Sequence, residues 1–333
     1  MDGMILVDAL RCPEASAKWD ADSWNALISI ARAEQFLGTV ARRLSGIAVP
    51  REIADILDEA RINAEYQRRS ALWEADCAHR ALADIGGKVV LMKGTAYAAA
   101  GLKASEGRHI GDLDIMVARD ALPQVEAALL AAGWEWVKPD PYDDAYYRDH
   151  MHELPPLIHK DRDRMIDVHH TILPLTAKPK PDAASMLSNA VALDNGLFVF
   201  SHADMVIHSA AHLFADGELD GGLRNLWDIH CLLDEFADDD FWAELRSRAA
   251  HHGVWVAVER AARLAHRLYG TEVPADWRKT HWQDGFYINR FTARDAWGRG
   301  TRPFLRLLFY VRSHWMRMPP LMLMRHLWTK WRR

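Results

Sequence analysis

One stretch, residues 88–117, constrains the possible folds of this chain more than any other part of it. It reads KVVLMKGTAYAAAGLKASEGRHIGDLDIMV. Residues 89–92 form an apolar run, with glycines before it at 86 and 87 and after it at 94. This pattern predicts a short buried strand. A turn at Lys93 and Gly94, a short helix and a loop follow, and a second strand begins near Asp112. The stretch therefore predicts the order strand, tight turn, helix, loop, strand.

Two aspartates share one face of the second predicted strand. Side chains alternate between the faces of a strand, so Asp112 and Asp114 point the same way while Leu113 points into the core. The two carboxylates repel each other unless a cation lies between them, and oxygen-rich sites suit Mg²⁺. A later strand, MIDVHH at residues 165–170, carries Asp167. Three such carboxylates can hold two metal ions about 3.5–4 Å apart for phosphoryl or nucleotidyl transfer.

Residues that can contact phosphate lie between the two strands. Gly94 lets the backbone approach a ligand closely, and Lys93 stands directly before it. Arg108 lies in the loop before the second strand and has two interpretations. It is a phosphate clamp, because arginine binds phosphate through two parallel N–H groups, or it is the ion-pair partner of Asp112 or Glu106.

Histidines are concentrated near the third aspartate. His169 lies two residues after Asp167 and shares its strand face, so it orients the carboxylate, contacts nucleotide or forms a hydrogen bond in the core. His150, His152 and His159 surround a proline-containing edge segment. Their spacing is irregular and no cysteine accompanies them, which argues against a zinc site.

These motifs resemble those of a known group of enzymes. The order of elements resembles that of the DNA polymerase β-like nucleotidyltransferase superfamily. That order is a strand, a Lys-Gly turn, a helix, a strand with Asp-x-Asp and a later strand with one Asp. The sequences LMKG, an Arg shortly before GDLDIMV, and IDVHH resemble its bacterial uncharacterised nucleotidyltransferase branch. The resemblance implies a metal-dependent enzyme that moves an NMP from an NTP, such as ATP, to a hydroxyl-type acceptor. The acceptor is a small molecule, a peptide or a protein.

The resemblance also implies roles for individual residues. Thr95 follows Gly94 where superfamily members usually carry a serine, so Thr95 or Lys93 takes over the contact of that hydroxyl with the triphosphate. The catalytic residues, which are also the ligands of Mg²⁺ or Mn²⁺, are Asp112, Asp114 and Asp167. The nucleotide-binding residues are Lys93, Gly94, Thr95, Arg108 and His169.

The whole chain predicts an α+β fold, in which a small mixed β-sheet core is flanked by helical regions. The expected division is an N-terminal helical region at 1–87, the nucleotidyltransferase core at 88–175 and a C-terminal helical region at 183–333. The basis is helical periodicity before Gly86-Gly87 and after Ser201, with a proline-rich linker between core and C-terminal region.

Two further functions remain open. His208, His212 and Asp228 lie on segments of helical pattern, and such side chains on facing helices can bind a divalent metal that hydrolyses phosphoesters. Alternatively, a degenerate core senses nucleotide without catalysis. The release of pyrophosphate from an NTP distinguishes transfer from both.

Composition bounds location and partners. The net charge of −5 gives no nucleic-acid signature, and three widely spaced cysteines fit a reducing cytoplasm. Neither a signal peptide nor a membrane-spanning run is expected. Residues 302–333 differ from the rest, with eight Lys or Arg, no Asp or Glu, and several Trp. This tail either attaches peripherally to a membrane or protein partner, or packs on the helical region.

Overall fold

The computed structural model describes residues 2–137, 141–215, 219, 221–317, 324 and 328. Its architecture confirms the predicted α+β class: a mostly helical chain surrounds a seven-stranded mixed sheet. One hydrophobic cluster extends from Leu6, near the start of the chain, to Phe309, near the end of the described residues. The sheet and the helices around it therefore share a continuous core.

The helices before the sheet begin and end where the sequence provides signals. Asp20 caps the second helix by accepting a hydrogen bond from Ser23 N at 2.9 Å. Pro50 directly precedes the longest helix, whose end lies shortly before Gly86-Gly87. The helices are α1 Met4–Arg11, α2 Ala21–Ala33, α3 Leu37–Arg43 and α4 Arg51–Ala81.

The sheet has the order β3-β4-β5-β2-β1-β7-β6. The pairs β2–β5 and β1–β7 are parallel and the other pairs are antiparallel. The strands are β1 Val90–Leu91, β2 Leu113–Met116, β3 Trp134–Trp136, β4 Leu157–His159, β5 Met165–His169, β6 Val191–Ala192 and β7 Phe198–Val199. The helices that alternate with them are α5 Lys93–Ala99, α6 Leu122–Ala131, α7 Pro141–His150 and α8 Ala183–Ser188.

Strands β6 and β7 extend the sheet into the segment expected to form the C-terminal helical region. Val90 pairs with Phe198 and Leu91 with Val199, so β7 lies directly beside β1. The division of the chain into three regions stays a prediction. The pairing shows that residues 191–199 complete one edge of the same sheet that contains the aspartates.

Helices follow the last strand. They are α9 His202–Ala215, α10 Gly222–Phe236, α11 Asp239–His251, α12 Trp255–Tyr269, α13 Asp284–Phe291 and α14 Pro303–Arg317. On α14, Phe309 and Ser313 are buried, whereas Phe304, Leu308 and Trp315 are exposed. The part of the basic tail after residue 317 lies outside the described residues, apart from 324 and 328. Among the described residues, no helix has the length and apolar character needed to span a membrane.

Candidate functional site

Three carboxylates meet where β2 and β5 lie side by side. Asp112 is exposed just before β2, Asp114 is buried within β2, and Asp167 is half-buried in β5. The parallel register places Asp114 opposite Asp167. One oxygen from each of the three side chains lies within 4.8 Å of the others. The group offers oxygen ligands, which hard divalent cations prefer.

Two of these carboxyl groups differ strongly in pKa. Burial would raise the pKa of Asp114, but the Lys93 ammonium and a hydrogen bond with His169 outweigh it and hold this pKa well below the ordinary range. The pKa of Asp167 is raised to about 7, first by burial and then by the negative charges of Asp114 and Glu153. Asp114 is therefore ionised at neutral pH, whereas Asp167 titrates near neutrality.

Lys93 provides the positive charge closest to Asp114. Its Nζ lies 2.6 Å from Asp114 Oδ1. Burial lowers the pKa of Lys93, yet the attraction of Asp114 dominates and the net pKa is raised. Lys93 also has φ 48°, a left-handed conformation that costs a non-glycine residue roughly 1–2 kcal/mol. The turn thus contains a residue with a strained backbone, and the side chain of that residue forms an ion pair with Asp114.

Gly94 allows Arg108 to approach this turn. A Cβ atom at residue 94 would lie 2.2 Å from Arg108 Nη1, so any larger residue would displace the guanidinium. Arg108 donates from Nε to Asp228 Oδ2 at 2.9 Å and from Nη1 to the His109 carbonyl at 2.9 Å. The carboxylate partner of Arg108 is therefore Asp228 on α10.

The two ion-pair partners that the sequence suggested for Arg108 were wrong. Glu106 pairs instead with Arg42 at 2.9 Å, and Asp112 belongs to the carboxylate group. Thr95, the other residue expected to contact nucleotide, is buried. Its Oγ1 has no hydrogen-bond partner among the described residues.

His169 joins the carboxylates to a residue that the sequence did not single out. Its Nε2 lies 3.0 Å from Asp114 Oδ1, and its Nδ1 lies 3.4 Å from Glu153 Oε2. Glu153 forms an isolated β-bridge opposite His169. The alternation of β5 predicts the face of His169, but only the cross-strand pairing identifies Glu153 as its neighbour.

The rival helical metal site is not assembled among the residues that the structure describes. There, the groups of three or more close metal-capable side chains are the three aspartates and the set His152, Glu153 and His169. His208 and His212 lie with ring centroids 6.2 Å apart on α9, and the carboxylate of Asp228 contacts Arg108. Asp228 thus neutralises a buried guanidinium.

The raised pKa of Asp167 makes a prediction for stability. A carboxyl whose pKa is higher in the folded than in the unfolded state stabilises the protein below its unfolded pKa. That stability is lost as the pH rises through the folded value, about 7 here. We expect Asp167→Asn to raise the Tm of the metal-free protein at about pH 8, by roughly 2–4 °C per kcal/mol of relieved repulsion. The gain should disappear near pH 4.

Thermal melts in a chelator across this pH range measure the effect. Asp112→Asn is the matched control, because Asp112 is exposed. A gain for Asp167→Asn that is equal at both ends of the range would contradict a near-neutral pKa for Asp167.

Sequence comparison gives the wider context of this geometry. The chain has no significant match among curated proteins. The model of a family described as "Uncharacterised nucleotidyltransferase" matches residues 20–270, which is more than half of the 333 residues and includes all three aspartates. The chain therefore belongs to this uncharacterised nucleotidyltransferase family.

Proposed function

We propose that this protein is a metal-dependent nucleotidyltransferase that moves an NMP from an NTP to a hydroxyl-type acceptor. The observation that carries the proposal is the convergence of Asp112, Asp114 and Asp167 within 4.8 Å, in a chain of nucleotidyltransferase family. The acceptor class is a small molecule, a peptide or a protein.

The donor atoms of the three aspartates fit Mg²⁺ or Mn²⁺. The set contains carboxylate oxygens alone, which these ions prefer over nitrogen or sulfur ligands. We assign Asp112 and Asp114 to both ions and Asp167 to the catalytic one. Bound there, the ions would neutralise phosphate charge and favour an ionised acceptor oxygen.

The turn beside the carboxylates is our proposed triphosphate site. Lys93 supplies an ammonium next to Asp114, and the absence of a Cβ at Gly94 makes room for the Arg108 guanidinium. Arg108 lies against Gly94 and is held there by Asp228, so its position is fixed before nucleotide binds. Thr95 adds a buried hydroxyl in the same turn.

In the proposed reaction, the acceptor oxygen attacks the α-phosphorus of the NTP. The bond between the α-phosphorus and the bridging oxygen breaks, and pyrophosphate leaves with the electron pair. The acceptor proton passes to the carboxylate of Asp167, the proposed general base. His169 orients Asp114 through the contact at 3.0 Å.

Replacing any one of the three aspartates tests the metal assignment. We expect Asp112→Asn, Asp114→Asn and Asp167→Asn each to lower Mg²⁺-dependent transfer by at least about 10- to 100-fold, because each removes a ligand of the ions and the loss of an outer-shell partner alone costs that much. The measurement is pyrophosphate release with each of the four NTPs and Mg²⁺ or Mn²⁺, beside circular dichroism to verify folding. Asp84→Asn, at an exposed carboxylate, is the control.

An unchanged rate in one variant would remove that residue from the site. If the wild-type protein binds NTP in this assay without releasing pyrophosphate, the non-catalytic nucleotide-sensing function takes precedence over transfer.

Nucleotide affinity tests the proposed triphosphate contacts. We expect Lys93→Ala to weaken NTP binding by roughly 10- to 100-fold, which is the range for losing a charged hydrogen bond. Arg108→Ala should weaken it less but lower the Tm more, because it leaves the buried carboxylate of Asp228 without its closest cation. Calorimetric titration with a non-hydrolysable NTP measures the affinities.

Lys88→Ala is the matched control, since Lys88 binds the carbonyls of Ser188 and Ala190 instead. Equal NTP affinity in Lys93→Ala and the wild type would mean that Lys93 does not contact the nucleotide and serves only as the ion-pair partner of Asp114.

We also propose that the basic tail attaches the protein peripherally to an anionic membrane. Phe304, Leu308 and Trp315 are more than half exposed on α14, while Phe309 packs on the core. Burying one such side chain contributes about 1.5–3 kcal/mol, and each nearby Lys or Arg adds about 1 kcal/mol at an anionic surface. This attachment would place an otherwise cytoplasmic enzyme at the membrane surface.

A variant restricted to exposed residues tests attachment without disturbing the core. The triple change Phe304→Ser, Leu308→Ser and Trp315→Ser should abolish low-salt sedimentation with anionic liposomes and leave the Tm within about 2 °C of wild type. Ile62→Ser, at an exposed apolar residue on α4, is the control. Wild-type protein that stays in solution with these liposomes would refute attachment.

A further inference from the structure

A second group of metal-capable side chains lies beside the three aspartates. We call His152, Glu153 and His169 the His–Glu–His cluster. One ligand atom from each lies within 4.8 Å of the others. Glu153 Oε2 is 3.6 Å from His152 Nε2 and 3.4 Å from His169 Nδ1. Three potential ligands thus surround one small volume.

Backbone pairing holds this cluster in place. Leu154 N donates to the Val168 carbonyl at 2.9 Å, and His170 N donates to the His152 carbonyl at 2.9 Å. The bridge between Glu153 and His169 lies between these two hydrogen bonds. The segment carrying His152 and Glu153 therefore runs antiparallel to the end of β5. These backbone hydrogen bonds fix the positions from which the three side chains of the cluster project.

The contact with Asp114 determines which nitrogen of a neutral His169 is available. A carboxylate only accepts hydrogen bonds, so the proton shared with Asp114 Oδ1 lies on Nε2. The other nitrogen, Nδ1, then carries a lone pair directed toward the Glu153 carboxylate, and Nδ1 has no hydrogen-bond partner among the described residues. Two electron-rich atoms that face each other at 3.4 Å require a proton or a cation between them.

Metal-binding histidines commonly have this arrangement. One ring nitrogen donates to a carboxylate, and the other binds the ion. In this protein Asp114 is the carboxylate, and the free nitrogen faces both Glu153 and His152. The donor set of two imidazoles and one carboxylate suits Zn²⁺, whereas Mg²⁺ prefers oxygen ligands.

We propose that the His–Glu–His cluster binds one Zn²⁺-class transition-metal ion through His152, Glu153 and Nδ1 of His169. This site is separate from the ions assigned to the three aspartates, and it leaves coordination positions open for water. Since His169 also holds Asp114, occupancy of the cluster fixes the hydrogen bond that orients a residue of the aspartate group.

The wild-type protein alone can test the proposal. Full-length protein is stripped of metal, loaded with Zn²⁺ in the presence of excess Mg²⁺, and dialysed. We expect one zinc per chain, and X-ray absorption at the zinc edge should show two imidazole ligands. Failure to retain zinc, or a spectrum without imidazole, would overturn the proposal. Neither result depends on NTP, so nucleotidyl transfer succeeds or fails separately.

Variants then locate the ion. Glu153→Gln and His152→Gln should each weaken Zn²⁺ binding by more than about tenfold. His150→Gln changes a neighbouring histidine outside the cluster and should bind as wild type does. Asp112→Asn should also keep its affinity. Wild-type affinity in both cluster variants, or an equal loss in Asp112→Asn, would overturn the proposal by placing the zinc elsewhere.

Discussion

The parallel pairing of β2 with β5 is the constraint on which the site depends. Its register sets Asp114 opposite Asp167, and Ile166 and Val168 on the other face of β5 are fully buried. A slip of one residue would expose these two apolar side chains and turn Asp167 away from Asp114. Hydrophobic burial on one face of β5 therefore fixes the carboxylates on the other. The positions of the acidic groups follow from the packing of the core.

Contacts with α10 and α3 stabilise the loop before β2. The bond from Arg108 to Asp228 joins the loop before β2 to α10, across 120 residues of sequence. Arg224, one turn before Asp228, stacks over Phe36 at 3.7 Å and donates to Thr39 Oγ1 at 2.8 Å. A chain of buried charges thus connects α10, α3 and the turn beside Gly94. Breaking it would leave uncompensated charge in the core, which is costly.

Local pattern was sufficient to predict the strands that carry the aspartates, because alternation along a strand determines which side chains share a face. It could not identify Asp228 as the partner of Arg108, since that contact depends on how α10 packs. It also assigned His152 to an irregular group of histidines near a proline-rich edge. The relevant neighbours of His152 are Glu153 and His169, and an isolated bridge between separate segments brings them together. Such cross-strand neighbours have no signature in sequence spacing.

The two metal-capable groups differ in chemistry because of a two-residue step along β5. Residues two apart on a strand share a face and are separated by roughly 6.6 Å. Asp167 therefore contributes oxygen to one group, and His169 contributes nitrogen to the other. Asp167 and His169 are close enough for their charges to interact strongly in a partly buried site. The carboxylate of Asp114 lies between them and contacts both Lys93 and His169. A change in charge at either group consequently changes the electrostatic potential at the Asp114 carboxylate. Asp114 therefore couples the two groups electrostatically.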